Sequence, residues 1–499
     1  MPSIISEGFT IFGDDETPFW GVSDISLVGV SGTSYLAIGS ERDGTLAILD
    51  PSTETLTSEI ALSASSGTEV LTDVDLVDGP SGQRLVTGGR YDDNVGVYEV
   101  GAGGTLTQTA SVADGSGYLD QISVMSSSVI GGQTYVYAAS FGRSGIGAFR
   151  LDADDTWIWN GGVVSGSYAL GDVTALSSAR FHGTEFLFAA SGVDAGVTTL
   201  TLGSDGTMTP VAVHDSTTGT GLLGLTDLAT AEIGSRAFVL AGASETDSLT
   251  VLRVSQAGKL SEVDHLVDQS GTRFGGVQDI EVVEHDGRTF VFAAGGDDGV
   301  SVFELTYTGK LNHLDTIADD FDTALQNVSA MAVEVVGSIA HVYVGSATDH
   351  GVTELLVDLS RSGDEVFGAG APETLIGTAG DDHLWGRGRD DLIFGEAGDD
   401  RLVDGRGNDE LTGGPGADVF EFIADGKSDF IMDFEFGVDL IDLTHWEGLY
   451  HYSDLTIGTR EKGAAIIFGD EIIRLRNPDG TPYDDALIES LGQDDFIFG

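Results

Sequence analysis

Between Gly377 and Glu421 the chain repeats itself every nine residues, and the sixth place of each unit is an aspartate: Asp382, Asp391, Asp400, Asp409 and Asp418. The units read GTAGDDHLW, GRGRDDLIF, GEAGDDRLV, DGRGNDELT and GGPGADVFE. Glycines at the first, second and fourth places allow a tight loop and leave backbone carbonyls free to turn inward. The sixth-place carboxylate supplies the hard anionic oxygen that Ca2+ selects. The eighth-place apolar residue (Leu384, Ile393, Leu402, Leu411, Phe420) falls on a short strand whose side chain points into a thin core. Stacked carboxylates repel one another without a cation, so this stretch is expected to need the ion to fold. A flexible Gly/Asp linker would have no reason to keep five acids in phase with five apolar residues.

The units approach the pattern G-G-x-G-x-D-x-U-x and resemble the hemolysin-type (RTX) calcium-binding repeats. The resemblance implies a parallel β-roll in which the five aspartates and the loop carbonyls of Gly380, Gly398, Gly407 and Gly416 hold Ca2+. Residues 428–443, SDFIMDFEFGVDLIDL, resemble the segment that follows the roll in serralysin-type C-terminal domains, which adds Asp429, Asp433 and Asp439 to the metal candidates. The closing QDDFIFG resembles the acidic-apolar end of type I secretion substrates. These resemblances span roughly residues 371–499. Two departures are expected to weaken single sites: Arg389 replaces a loop glycine, and Asp404 replaces a first-place glycine. The Arg389 loop is expected to be the poorest metal site.

Composition points the same way. Lys and Arg number 22 against 81 Asp and Glu, a formal charge of −59. Such a field disfavours nucleic acid and anionic membrane surfaces as partners. Adaptation to salty surroundings would produce the same acidity. With no cysteine, disulfides, Cys-based zinc sites and a thiol nucleophile are excluded. The start, MPSIISEGFTIFGDDE, has neither a basic n-region nor an apolar h-region, and no transmembrane run is found. Joined to an RTX-like end, this reading implies an extracellular protein exported by the type I secretion machinery and folding in external calcium.

The first 358 residues follow a longer period. An acidic or amide residue opens an apolar strand at Asp24, Asp73, Gln121, Asp172, Asp227, Asp279 and Asn327, at intervals of 49, 48, 51, 55, 52 and 48 residues. Each copy continues with a second strand rich in small and β-branched residues (YLAIGS, RLVTGG, YVYAAS), a polar turn, a third strand (TLAIL, VGVYEV, IGAFRL) and often a fourth. Four strands in about 50 residues make one propeller blade, and seven copies make a seven-bladed β-propeller. The seventh copy lacks its outer strand. SIISEGFTIF aligns without a gap on KLSEVDHLV, so residues 3–12 are expected to complete the blade formed by residues 327–358. Ring closure removes two sheet edges. The same strand inserted into a neighbouring molecule would give a self-assembling chain of propellers. The resulting organisation is all-β: a propeller over 1–358, a linker over 359–374 and a calcium-binding roll over 375–499.

The aspartates that open the inner strands share one face with acidic turns at Asp43, Asp92, Asp93, Asp194, Asp247, Asp297, Asp298 and Asp349. These acids either ring a channel-bound cation or cap turns, the usual role of an acid that recurs in every blade. Ligand-binding candidates are residues that break the symmetry of this face: Trp20, Arg90, Tyr91, Arg143, Arg273 and His350, large or cationic against an acidic background. The chain has no HExxH, no GxSxG elbow in a strand-to-helix setting and no P-loop lysine. The blades broadly resemble seven-bladed lactonase and WD40-like propellers, a likeness that carries no activity. The leading reading is a secreted calcium-binding protein whose propeller binds an extracellular macromolecule or surface. The alternatives are a lactonase-type, metal-dependent hydrolase and a self-assembling structural protein.

Overall fold

A computed structural model describes residues 3–13, 19–42, 44–62, 70–91, 93–113, 115–164, 166, 168–216, 221–360, 362–446, 448–477, 480–488 and 490–498. The chain divides into two units, Met1–His285 with Thr289–Asp358, and Asp286–Arg288 with Leu359–Gly499.

In the first unit the alternation of apolar strands and polar turns produces seven four-stranded antiparallel sheets, the blades of a β-propeller. Inner strands begin at Val22, Leu71, Ile122, Val173, Leu225, Val277 and Val328, a spacing of 49 to 52 residues. The second strands are buried on both faces, as in Tyr35–Ser40 and Phe290–Gly295, because each blade packs on the next. Apolar clusters therefore lie between blades: Leu71, Val74 and Leu85 of the second meet Ala37, Leu46 and Ile48 of the first.

The strand Ile5–Phe12 pairs antiparallel with Gly351–Asp358, from Ile5 opposite Val357 to Phe12 opposite Gly351, and supplies the seventh sheet's outer strand. Phe9 and Ile11 pack on the cluster that joins the seventh blade to the first, with Phe19, Val22, Tyr343 and Val352. Asp315 on the outer strand of the sixth blade fixes the start of this strand. Its Oδ2 accepts the amide N–H of Ile4 (2.7 Å) and the hydroxyl of Ser3 (2.7 Å).

The inner strands of blades one to five and seven carry a β-bulge after their first residue. A bulge re-aims the extra side chain, and here that side chain is a hydroxyl. Thr72, Ser123, Thr174 and Thr226 donate to the carbonyls of Ile122, Val173, Leu225 and Val277 in the next blade (2.6 to 2.9 Å). Ser329 donates to Val22 O at 2.6 Å and so links the seventh blade to the first.

The bulge also corrects the sevenfold acidic series. Asp24, Asp73, Asp227 and Asp279 stand two residues past the start of the inner strand, whereas Gln121, Asp172 and Asn327 stand just before it. These last three adopt positive φ (54°, 50° and 50°), where other blades use Gly21, Gly224 and Gly276. Amide and acidic side chains tolerate this left-handed conformation, so two structural positions look alike in sequence. The in-strand aspartates are neither turn caps nor one continuous ring. The amides of Val74, Met125, Ile280 and Met331, each in the following blade, donate to Asp24, Asp73, Asp227 and Asp279 Oδ2.

The second unit is a parallel roll of two sheets, one of six strands and one of seven, ended by the antiparallel strands Thr456–Arg460, Gly463–Phe468 and Glu471–Arg476. Leu384, Ile393, Leu402, Leu411 and Phe420 are fully buried between the sheets. The stretch read as a linker, 359–374, is corrected in part. Ser362–Phe367 runs parallel to Asp381–Trp385 as an outer strand of the roll, because Val366 and Phe367 lie opposite Leu384 and Trp385. Among the described residues, no helix is long and apolar enough to cross a membrane.

Candidate functional site

Units of the roll alternate sides, so each loop stacks on the loop 18 residues away. The fourth-place glycine sits where only glycine fits: a β-carbon on Gly416 would lie 1.8 Å from Gly398 O, and one on Gly398 would lie 2.4 Å from Gly380 O. On the other side, a β-carbon on Gly407 would lie 2.2 Å from Arg389 O. The fourth-place carbonyls thus form two columns. Arg389 keeps its place in its column at φ 84°, and its carbonyl oxygen is the same ligand atom a glycine would offer.

The sixth-place aspartates form a ladder along each side. Asp400 and Asp418 Oδ1 accept the N–H of Asp382 and Asp400 (2.7 and 2.9 Å), and Asp439 Oδ1 accepts that of Asp418. On the opposite side Asp409 and Asp429 Oδ1 accept the N–H of Asp391 and Asp409 (2.7 and 3.0 Å). One oxygen of each of these carboxylates is thereby oriented, and Asp439 Oδ2 also accepts the N–H of Glu435 at 2.7 Å. Buried Oδ2 atoms of Asp391, Asp400, Asp409 and Asp418 have no hydrogen-bond partner. Buried acceptors without donors are rare and costly; oriented anionic oxygens beside carbonyl columns fit a hard cation such as Ca2+. Asp433, like Asp439, is fully partnered, its oxygens accepting the backbone N–H groups of Gly413 and Gly414, and both oxygens of Asp382 accept from Thr378.

Burial, reinforced by neighbouring acids, pushes these carboxyls up: Asp400, Asp409 and Asp429 to about 7, Asp418 to about 8 and Asp439 to about 6. A divalent ion among them would replace protons as the neutralising charge.

On the propeller, the sequence candidates separate into local pairs. The Trp20 ring stacks on His350 with centroids 4.8 Å apart and planes 10° apart. The Arg90 guanidinium lies over Phe141 at 4.4 Å and that of Arg143 over Tyr118 at 4.8 Å. Arg273 is tied to Asp297 at 3.2 Å, and Tyr91 is 65 % exposed. The turn acids mostly serve the backbone: Asp194, Asp247, Asp298 and Asp349 accept the N–H of Gly171, Gly276, Asn327 and Gln326. Asp43 and Asp92 lie outside the described residues. Sequence reasoning missed Phe321, a fully exposed aromatic between the sixth and seventh blades; its place in an acidic loop, DDFD, is the signal that was available.

A seven-bladed propeller and a parallel roll with RTX calcium-binding repeats define this chain. Residues 367–402 and 394–421 match the family model of the RTX calcium-binding nonapeptide repeat, in four copies. No curated protein matches the sequence. Among solved structures, the chain is similar to a protein from Lactobacillus plantarum at 16% identity and TM-score 0.44, covering 65% of this chain and 92% of that one. It is similar to a functionally unknown protein from Desulfotomaculum acetoxidans DSM 771 at 16% identity and TM-score 0.44, covering 61% and 87%. The Myceliophteria thermophila Cps50 (Swd1) β-propeller domain matches at 11% identity and TM-score 0.49, covering 71% and 99%.

Proposed function

We propose that this is an extracellular calcium-binding protein whose propeller is a binding module for a macromolecule or surface, and whose roll folds around Ca2+ after export by type I secretion. The observation that carries the binding reading is the exposure of Trp20 (44 %), Tyr91 (65 %) and Phe321 (102 %). All three belong to loops at the end of the blades where inner strands begin. Large aromatics held out to solvent in a strongly acidic surface serve recognition better than folding. The Trp20–His350 stack offers a flat platform of the kind that sugar rings and planar side chains cover.

The five sixth-place aspartates, Asp429 and Asp439 are the proposed carboxylate ligands, with the fourth-place carbonyls beside them. Extracellular calcium modules work at about 10⁻⁴ to 10⁻³ M, a range compatible with an unfolded roll before export. The full chain in calcium, applied to arrays of polysaccharides and extracellular proteins, tests the binding reading. Trp20→Ala and Tyr91→Ala should each weaken the captured ligand about tenfold or more, a loss of the size typical of aromatic anchors. Unchanged affinity in both variants would remove this face as the site.

A further inference from the structure

The fourth nonapeptide departs from its neighbours at the first place, and the departure lands on the metal ladder. At Gly386 a first-place β-carbon would meet Asp404 O at 2.1 Å, with Asp391 Oδ2 3.0 Å away; in the other three units it would point at the sixth-place carboxylate of its own loop. It would lie 2.4 Å from Asp382 Oδ2 at Gly377, 2.2 Å from Asp400 Oδ2 at Gly395 and 2.0 Å from Asp418 Oδ2 at Gly413. In those three units a side chain would collide with that oxygen, so glycine is needed. At Asp404 the chain places a carboxylate along this direction instead.

One ligand oxygen from each of Asp404, Asp409 and Asp429 lies within 4.8 Å of the other two. The three residues are 1 %, 0 % and 4 % exposed. Two further observations mark the cluster as built. Asp409 Oδ2 is buried without a hydrogen-bond partner, and Asp404 is held in place by the N–H of Ile423, which donates to its Oδ1 at 2.9 Å, and by that of Gly405. Asp409 and Asp429 are oriented in turn by the ladder bonds from Asp391 and Asp409 N–H.

We infer that Asp404, Asp409 and Asp429 form a three-carboxylate calcium site that fills first in the roll, instead of the weakened site that loss of a glycine suggests. The inference rests on the calcium reading of the roll. Affinity in oxygen-ligand calcium sites rises with the number of charged ligands and the rigidity of the cage. Elsewhere on the ladder the metal candidates are successive sixth-place aspartates; here a third carboxylate is added in a fully buried setting. The first ion bound would pin the 404–409 loop to the 422–429 loop and present a finished turn on which neighbouring turns stack.

The test uses the full chain, with radioactive calcium in equilibrium dialysis and terbium luminescence displaced by calcium, on wild type, Asp404→Asn and Asp404→Gly. Asparagine keeps an acceptor for Ile423 N–H and removes the charge; glycine restores the repeat's usual residue. Wild type should show one site filling at free calcium about tenfold or more below the rest, and both variants should merge that step with the others. Near-UV circular dichroism in saturating calcium should be the same in all three proteins. A first step that persists in both variants overturns the inference, as does uniform filling in wild type. Absence of any calcium uptake by wild type is a separate result, and it removes the calcium reading of the whole roll.

Discussion

At the scale of single residues, the acids of this chain divide by what neutralises them. Asp24, Asp73, Asp75, Asp227, Asp279 and Glu281 line the propeller's inner strands, reached by solvent only in part. Burial, and then mutual repulsion, raises Asp75 to about 7 and Glu281 to about 8. Burial also lifts Asp24 and Asp227 to about 6 against the pull of their backbone N–H donors. A carboxyl raised in the folded state favours folding while it holds its proton and loses that contribution as pH climbs from about 4 through 6 to 8. The propeller's melting temperature, followed by calorimetry, should therefore fall between pH 5 and pH 8. Glu281→Gln and Asp75→Asn should raise it at pH 8 and leave it nearly unchanged at pH 5; an unaltered pH profile would mean that these carboxyls titrate normally. The hydroxyl latches give a second residue-scale expectation. Ser329→Ala removes the donor to Val22 O at the ring closure and should cost about 1–3 kcal/mol by chemical denaturation.

Among the elements, the strand Ile5–Phe12 does most to hold the ring together, because it joins the two ends of the propeller segment. Deleting residues 1–12 removes its pairing with Gly351–Asp358, the packing of Phe9 and Ile11, and the bonds to Asp315. The loss should be on the order of 3 kcal/mol or more, with aggregation through the bared edge of Gly351–Asp358. A truncated chain that melts where the intact one does would contradict the closing role. This strand was legible in sequence because its pattern aligns gap-free with another blade's outer strand. The inner strands were legible as strands but not in register: bulges break their two-residue alternation, so Gln121, Asp172 and Asn327 passed for partners of Asp24. In the roll, the nine-residue phase revealed strands, core and ladder together. It could not reveal the strand Ser362–Phe367, which precedes the first complete unit, or the ion-paired group on the sheet face. There Arg401 bridges Glu421 and Asp442, and Glu421 meets His445 at 2.6 Å. Burial alone would raise Glu421, but the His445 hydrogen bond and the Arg401 charge bring it down to about 2. This group stabilises above the ordinary glutamate range and is lost as pH falls from about 4.5 to 2, opposite in sign to the propeller acids.

For the whole molecule, a charge of −59 is carried by two units that answer it differently. Between propeller blades lie continuous apolar clusters, so folding there is driven by burial that needs no ion. The roll has one core only two short strands deep, set beneath two columns of acids in which Asp391, Asp400, Asp409 and Asp418 each keep a buried oxygen without a partner. Its folding free energy therefore includes that of metal binding. Calorimetry of the full chain should show two transitions in millimolar calcium. Excess chelator at pH 8 should abolish the roll's transition and leave the propeller's in place. Asp400→Ala should raise the calcium midpoint of the roll's transition more than Asp391→Ala, because Asp400 stands inside its ladder, between Asp382 and Asp418. Asp391 stands near the end of its own, where the residue above it is Glu373. A single transition that shifts as a whole with calcium would show that the propeller's stability also depends on the ion.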